Sequence, residues 1–148
     1  MRIGIGAVHA ADIDELLRLL AQNHLPADGL ADHLGTTLVA RQDGRIVGSA
    51  ALELYPDGAL LRSVAVAPAL QGQGLGAELT AAALALARDL HVGAIYLLTT
   101  TAEGYFPRFG FEPVTRDDVP PGVKGSVEFT SACPSSATVM RKSLDRGR

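Results

Sequence analysis

The strongest chemical signal in the chain is Gln71-Gly72-Gln73-Gly74-Leu75-Gly76, set between an apolar strand pattern and a long helix pattern. Glycine lets a backbone approach a ligand closely and accept positive φ. The first N–H groups of the helix that follows lack intrahelical partners and carry partial positive charge. Together these features build a phosphate site with little need for lysine. The plainer alternative is a glycine-rich turn that only lets the helix pack tightly. A P-loop ends in Gly-Lys-Ser/Thr, whereas Gly76 is followed by Ala77-Glu78, which excludes a nucleotidase of that type. Gly72, Gly74 and Ala77 satisfy the dinucleotide spacing G-x-G-x-x-G/A. The next strand pattern, however, ends in Thr99-Thr100-Thr101 and not in the acidic residue that would hold a ribose.

The elements that must position this loop can be read along the chain. Arg2 to Val8 reads as a short strand. Asp12 with Glu15 resembles a capping box, and Ile13, Leu16, Leu17 and Leu20 share one helix face. Leu25-Pro26 ends that helix, and Leu30 to Leu34 suits a second short one. Thr37 to Arg41 and Ile46 to Tyr55 form a hairpin about Gln42-Asp43-Gly44-Arg45. After the turn at Pro56-Asp57-Gly58, Leu60 to Val66 forms the next strand, which Pro68 closes. The glycine loop then opens a helix to about Leu90, with Leu75, Leu79, Leu86 and Leu90 as its buried stripe. Ala94 to Thr99, Phe111 to Val114 and Thr138 to Leu144 read as strands. Short helices are expected at Ala102 to Phe106 and at Pro120-Pro121. Antiparallel hairpins followed by one strand–helix–strand crossover predict a mixed sheet with helices on both faces.

Composition narrows the function. The chain has 148 residues, length for one domain, spanning 1–148. Hydrophobic residues make up 47% and charged residues 20%, a globular balance. A net charge of −3 disfavours nucleic acid as a partner. No apolar run approaches the ~18 residues of a membrane span, and the start lacks the pattern of a secretion signal, so the expected location is the cytoplasm. The lone Cys133 permits neither an intrachain disulfide nor a multi-cysteine metal site, and it reads as a small buried hydrophobe. His9, His24, His33 and His91 have no close ligand spacing, so no metal is implied, and His91 suits a cap after the long helix.

Gln71-x-x-Gly74-x-Gly76, after a strand ending Val64-Ala65-Val66-Ala67-Pro68, resembles the acetyl-CoA motif of the GCN5-related N-acetyltransferases, the GNAT superfamily. Thr99-x-x-Ala102 and Phe106-x-x-x-Gly110-Phe111 fit the same superfamily, and the likeness runs from Arg2 to Leu144. It implies an α/β (α+β) GNAT fold, a mixed sheet of about six or seven strands splayed at the acetyl-CoA site. It further implies acetyl-CoA as cosubstrate. The loop amides of Gln71, Gly72, Gln73, Gly74, Leu75 and Gly76 would hold the pyrophosphate. The backbone of Val64, Ala65 and Val66 would pair with the pantetheine arm like an added strand. Leu60-Leu61-Arg62-Ser63-Val64-Ala65-Val66, Tyr96-Leu97-Leu98-Thr99-Thr100-Thr101 and Glu128-Phe129 followed by Cys133-Pro134 are similar to the arsenic-resistance N-acetyltransferases. They are less closely similar to the acetyltransferase domain of glutamate N-acetyltransferase. Both likenesses imply a small-molecule partner, an acidic α-amino acid whose amine takes the acetyl group. In the first, that acceptor is arsinothricin, a glutamate analogue.

Such a reaction needs an ammonium to lose a proton, a donor for the carbonyl oxygen, and a thiolate that leaves. Glu53 is the candidate base: with Leu52 and Leu54 apolar, it falls on the other strand face with Ala51 and Tyr55. The alternative is a solvent-facing strand glutamate. The superfamily tyrosine acid falls at Phe106, and Tyr105, one step off, is expected to point elsewhere. Ser63 is the weaker catalytic candidate, with a local hydrogen bond as its other reading. For substrate carboxylates Arg62 is the candidate cation, because its guanidinium matches an oxygen pair bidentately. Arg62 could instead form a structural pair with Glu53. Lys124 could close over the substrate or be simply solvated. Thr100 and Thr101 could donate hydroxyls or cap the turn before Ala102. Three functions stay open at this point: an arsenical-detoxifying acetyltransferase, glutamate acetylation for arginine synthesis, and a non-catalytic coenzyme A module. Pro120 to Ser136 could mediate a homodimer.

Overall fold

A computed structural model describes residues 3–132 and 136–144. Cys133 and Pro134, singled out above, lie outside the described residues. Seven strands form one sheet in the order β1-β2-β3-β4-β5-β7-β6. They are β1 (Ile3–Ala7), β2 (Thr37–Gln42), β3 (Arg45–Tyr55), β4 (Gly58–Val66), β5 (Ala94–Thr99), β6 (Glu112–Val114) and β7 (Thr138–Ser143). Only β4 and β5 pair in parallel; every other neighbour is antiparallel. The two hairpins follow from their turns. Asp43 and Gly44 both take positive φ (54° and 79°), which suits the right-handed twist of a two-residue hairpin.

The helices are α1 (Ile13–Gln22), α2 (Leu75–Asp89) and the short α3 (Pro121–Lys124). Strand alternation places them. Ala50 and Leu52 of β3 join the core cluster of α2, while Ala51 between them joins the cluster of α1. The two long helices therefore cover opposite faces. A third cluster, with Leu60, Tyr96 and Val123, lies beneath α3.

Several local expectations are corrected. Asp12 makes no side-chain cap to α1; its carboxylate accepts from the His9 N–H and pairs with Arg41 instead. Glu15 accepts from the Ile46 N–H at 2.8 Å, tying the helix to β3. Leu16, Leu19 and Leu20 form the buried stripe of α1, and Leu17 is only partly buried. On α2 the stripe holds Leu75, Leu79, Ala83, Leu84 and Ala87, whereas Leu90 is exposed. Alanines at 83 and 87 let the helix sit close on the sheet, a face that leucine spacing alone misses. The helix expected at Ala102 to Phe106 is displaced to a 3-10 turn, Phe106–Phe109.

Candidate active site

The sheet divides between β4 and β5. Their ladder holds only Ala59↔Ile95 and Leu60↔Tyr96, while β5 continues beside β7 as far as Thr99↔Thr138. The parting has a local cause. Between the pairs Ser49↔Ala65 and Ala51↔Arg62, β4 carries one residue more than β3. Ser63 takes a left-handed φ of 58°, and the Ser49 hydroxyl donates to the Ser63 carbonyl at 2.7 Å. A bulge of this kind bends and twists its strand. Beyond it, Leu61 to Val64 and Leu97 to Thr99 become opposite walls of a cavity of about 260 Å³.

The glycine loop forms a neighbouring groove of about 750 Å³, lined by Gln71, Gly72, Gly74, Gly76, Val64 and Val66 among others. Gly72 and Gly74 have φ of 83° and 90°, and nothing lies within 4 Å of a Cβ built on either. The turn thus demands glycine for its conformation and keeps its outer face open. Gly74 is the N-cap of the fifteen-residue α2, whose first N–H groups lack intrahelical partners beside the groove that Gly74, Gly76 and Ala77 line. This cradle fits a diphosphate. Gln71 Nε2 and Asn23 Nδ2 both donate to the Val66 carbonyl, at 3.0 and 3.2 Å, fixing the loop's entry to the end of α1. Leu75 buries its side chain in the core, and Gln73 is exposed and off the groove's lining. The groove and the cavity share Asn23, Val64, Thr101, Ala102 and Tyr105, so they open into one another at the bulge.

Arg62 lines the cavity and pairs there with Glu53, which is not itself on the wall. They lie on one face of the β3–β4 hairpin, between the cores under α1 and α3. Their side chains are 1% and 0% exposed, and Arg62 Nη1 donates to Glu53 Oε2 at 2.8 Å. Arg62 also donates to the carbonyls of Asp28 (2.6 Å) and Pro26 (3.0 Å) and to Ser63 Oγ (3.2 Å). Its Nε stands 3.3 Å from Glu128 Oε2. The structural pairing of Arg62 with Glu53 is therefore present, and Glu53 is not a solvent-facing glutamate. Burial pushes the Glu53 carboxyl up, but hydrogen bonds from Ser126, Tyr55 and Arg62, with His33 nearby, outweigh it and hold it below the usual carboxylate range. Burial and the Glu53 hydrogen bond push the Tyr55 phenol up to about 12.

The remaining candidates divide. Thr101 lines both spaces, whereas Thr100 is exposed and lines neither. Thr99 performs the capping role, its Oγ1 accepting from the Ala102 N–H at 2.9 Å. Lys124 is exposed on α3 and lines neither space, because Val123 beside it is the residue that α3 buries. Tyr105 corrects an expectation. It stands on the wall common to groove and cavity, packed edge-on against Phe106 and Phe109 under Arg108. The expectation assumed an α-helix there, while the chain makes a turn in which Tyr105 and Phe106 both face the cavity. Asn23 and Glu128 are site residues that sequence reasoning misses. An asparagine closing a helix carries no such signal, and Glu128 reaches the site only through the fold of 116–132.

Comparison with known proteins agrees with this geometry. The profile of the acetyltransferase (GNAT) family matches residues 9–111. The chain is similar to the amino-acid acetyltransferase of Neisseria meningitidis, 27% identical over 127 residues, covering 80% of this chain and 29% of that protein. It is also similar to the amino-acid acetyltransferase of Mycobacterium tuberculosis, 39% identical over 72 residues, covering 48% of this chain and 41% of that protein. The chain thus spans well under half the length of these curated relatives. Among solved structures, N-acetylglutamate synthase of Neisseria gonorrhoeae, complexed with coenzyme A and N-acetyl-glutamate, superposes with a TM-score of 0.83 at 22% identity, covering 99% of this chain and 36% of that one. The ribosomal-protein-S18-alanine N-acetyltransferase of Escherichia coli superposes with a TM-score of 0.76 at 18% identity, covering 99% and 97%. A glycine-lined groove at a helix start, a forked sheet beside it and a profile match over residues 9–111 converge on one assignment: the chain belongs to the acetyltransferase (GNAT) family.

Proposed function

We propose that the protein transfers the acetyl group of acetyl-CoA to the α-amine of a small, glutamate-like amino acid. The observation that carries this reading is the opening of the glycine-loop groove into the cavity at Val64, Thr101 and Tyr105. Cosubstrate and acceptor can then react directly, without a covalent enzyme intermediate. Backbone groups of Gln71 to Gly76 hold the pyrophosphate, and Val64 to Val66 align the pantetheine arm. Acetyl-CoA supplies the activated acyl carbon; the ammonium first gives one proton to a carboxylate or water, the free amine then forms the C–N bond as the C–S bond breaks, and coenzyme A leaves as a thiolate while the second nitrogen proton passes to it or to water. At about 260 Å³ the cavity lies below the roughly 300–1,000 Å³ of drug-sized ligand sites, which suits a small acceptor.

Two acceptors are in contention. The motifs around Arg62, Thr99 and Glu128 support an organoarsenical analogue of glutamate, and with it a detoxifying role. The amino-acid acetyltransferase relatives, together with the N-acetylglutamate synthase whose fold the chain shares, support free glutamate about as well. A thiol-release assay with acetyl-CoA and arsinothricin, phosphinothricin, glutamate or other amines, each supplied alone, decides between them. Release with arsinothricin and little with glutamate supports detoxification. Release with glutamate alone places the protein in amino-acid synthesis. Silence across the panel with coenzyme A still bound leaves the family assignment standing and sinks the glutamate-like substrate reading.

A further inference from the structure

We propose that Glu128, and not Glu53, is the carboxylate that receives the ammonium of the acceptor. This rests on the reading that the cavity admits an amine. Both oxygens of Glu53 are engaged, one by the Tyr55 hydroxyl and the other by Arg62 Nη1 at 2.8 Å, and Glu53 does not line the cavity. Glu128 does line it, although its side chain is only 5% exposed. Glu128 Oε2 stands 3.3 Å from Arg62 Nε, which also donates to Ser63 Oγ at 3.2 Å, so the carboxylate is anchored where it faces the cavity. Among the described residues, Arg62 and Glu128 are the charged side chains on the cavity wall, so Glu128 is its one anion. His33, 3.8 Å from Glu53 Oε1, is not on that wall.

The backbone supports the assignment. Glu128 opens a π-helical turn, Glu128–Ala132, a rare form found frequently at functional sites. Its N–H donates to Ser126 Oγ at 3.1 Å, and Ser126 is itself buried against Glu53 and Tyr55. The Arg62–Glu53 pair thus acts as a fixed floor on which Glu128 is held toward the cavity. An ammonium entering there meets a carboxylate that can hold it and take up the proton it must lose.

The test separates charge recognition from structure by comparing an amine with its own acetylated form. Binding of L-glutamate and of N-acetyl-L-glutamate to the full chain with coenzyme A present is measured by calorimetry, for the unaltered protein, Glu128→Gln and Glu128→Asp. Glu128→Gln is expected to weaken L-glutamate by roughly tenfold or more, ~1.4 kcal/mol. N-acetyl-L-glutamate, which has no ammonium, should keep its affinity to within about twofold. Glu128→Asp should restore part of the loss. If both ligands weaken alike, Glu128 is structural and the inference fails. If L-glutamate binds more tightly to Glu128→Gln, Glu128 occupies a substrate carboxylate's place on Arg62, and the inference also fails. Unchanged coenzyme A affinity certifies folding; should Glu128→Gln not fold, Glu128→Asp must still weaken L-glutamate selectively. If the unaltered protein ignores L-glutamate, the same pairwise measurement is made with other primary amines and their N-acetyl forms. A Glu128-dependent amine other than glutamate then sinks the glutamate-like reading and upholds the inference, and a protein that binds no primary amine sinks both.

Discussion

Replacing Arg62 by methionine removes a guanidinium that reaches both Glu53 and Glu128, whose side chains are 1% and 5% exposed. It also removes the donors to the carbonyls of Pro26 and Asp28. Methionine preserves much of the volume, so the loss is electrostatic and not a cavity. Breaking a buried pair from one side costs about 3–5 kcal/mol, because it strands the remaining charge. In a chain of this size that lowers the melting temperature by roughly 6–20 °C. Adding Glu53→Gln to Arg62→Met relieves one stranded carboxylate, so the double variant should be less destabilised than the sum of the singles. The assay is urea unfolding followed by circular dichroism, with the denaturant slope checked for constancy. No substrate is present, so the result reports on architecture alone. A loss under about 1 kcal/mol, the range of exposed ion pairs, or strict additivity with Glu53→Gln, would refute the view that Arg62 supports buried carboxylates.

Three further outcomes are expected. Asp57 accepts from the N–H groups of Gly122 and Val123, so Asp57→Ala should destabilise the attachment of α3 by about 0.5–2 kcal/mol, read as faster hydrogen exchange at those two amides. Gly74→Val places a branched residue at φ 90°, and coenzyme A affinity measured by calorimetry should fall at least severalfold, whereas Gly4→Ala, at an open position of β1, leaves it unchanged. Glu53 has a depressed folded pKa, so its contribution is fully present above the ordinary carboxylate value and is lost as pH falls from there through the folded value. Tyr55 is raised, so its contribution is present below about 10 and is lost as pH climbs toward about 12. A melting-temperature profile should show both limbs, and Tyr55→Phe should flatten the alkaline one.

The sequence made the loop and the order of elements legible because both rest on short-range rules. Positive φ at Gly72 and Gly74, the Asp43-Gly44 turn and the strand alternation around Glu53 each depend on a handful of neighbouring residues. That alternation put Glu53 on the face of Ala51 and Tyr55, and the structure agrees. Depth was harder to read. An isolated Glu53 looks the same whether water or Arg62 satisfies it, and the partner comes from another strand. Arg62 gathers Pro26, Asp28, Glu53 and Glu128 from three distant stretches, a convergence no local pattern encodes. Tyr105 was misplaced because a helical period was applied to a turn. Glu128 was visible only as part of a family likeness, since its position depends on how residues 116–132 cross the sheet.

The fork between β4 and β5 also has a mechanical meaning. Two ladder rungs stitch a four-strand half to a three-strand half, whereas β3 and β4 are zipped along almost their whole length. The molecule is bound like a book with a short spine, and the apolar cluster running from Ala40 to Met140 keeps its covers aligned. A pulling force applied across the spine, between Thr37 and Thr138, should part the halves before either hairpin tears. A molecule seated in the gap would bear part of that load, so rupture force would rise with its occupancy.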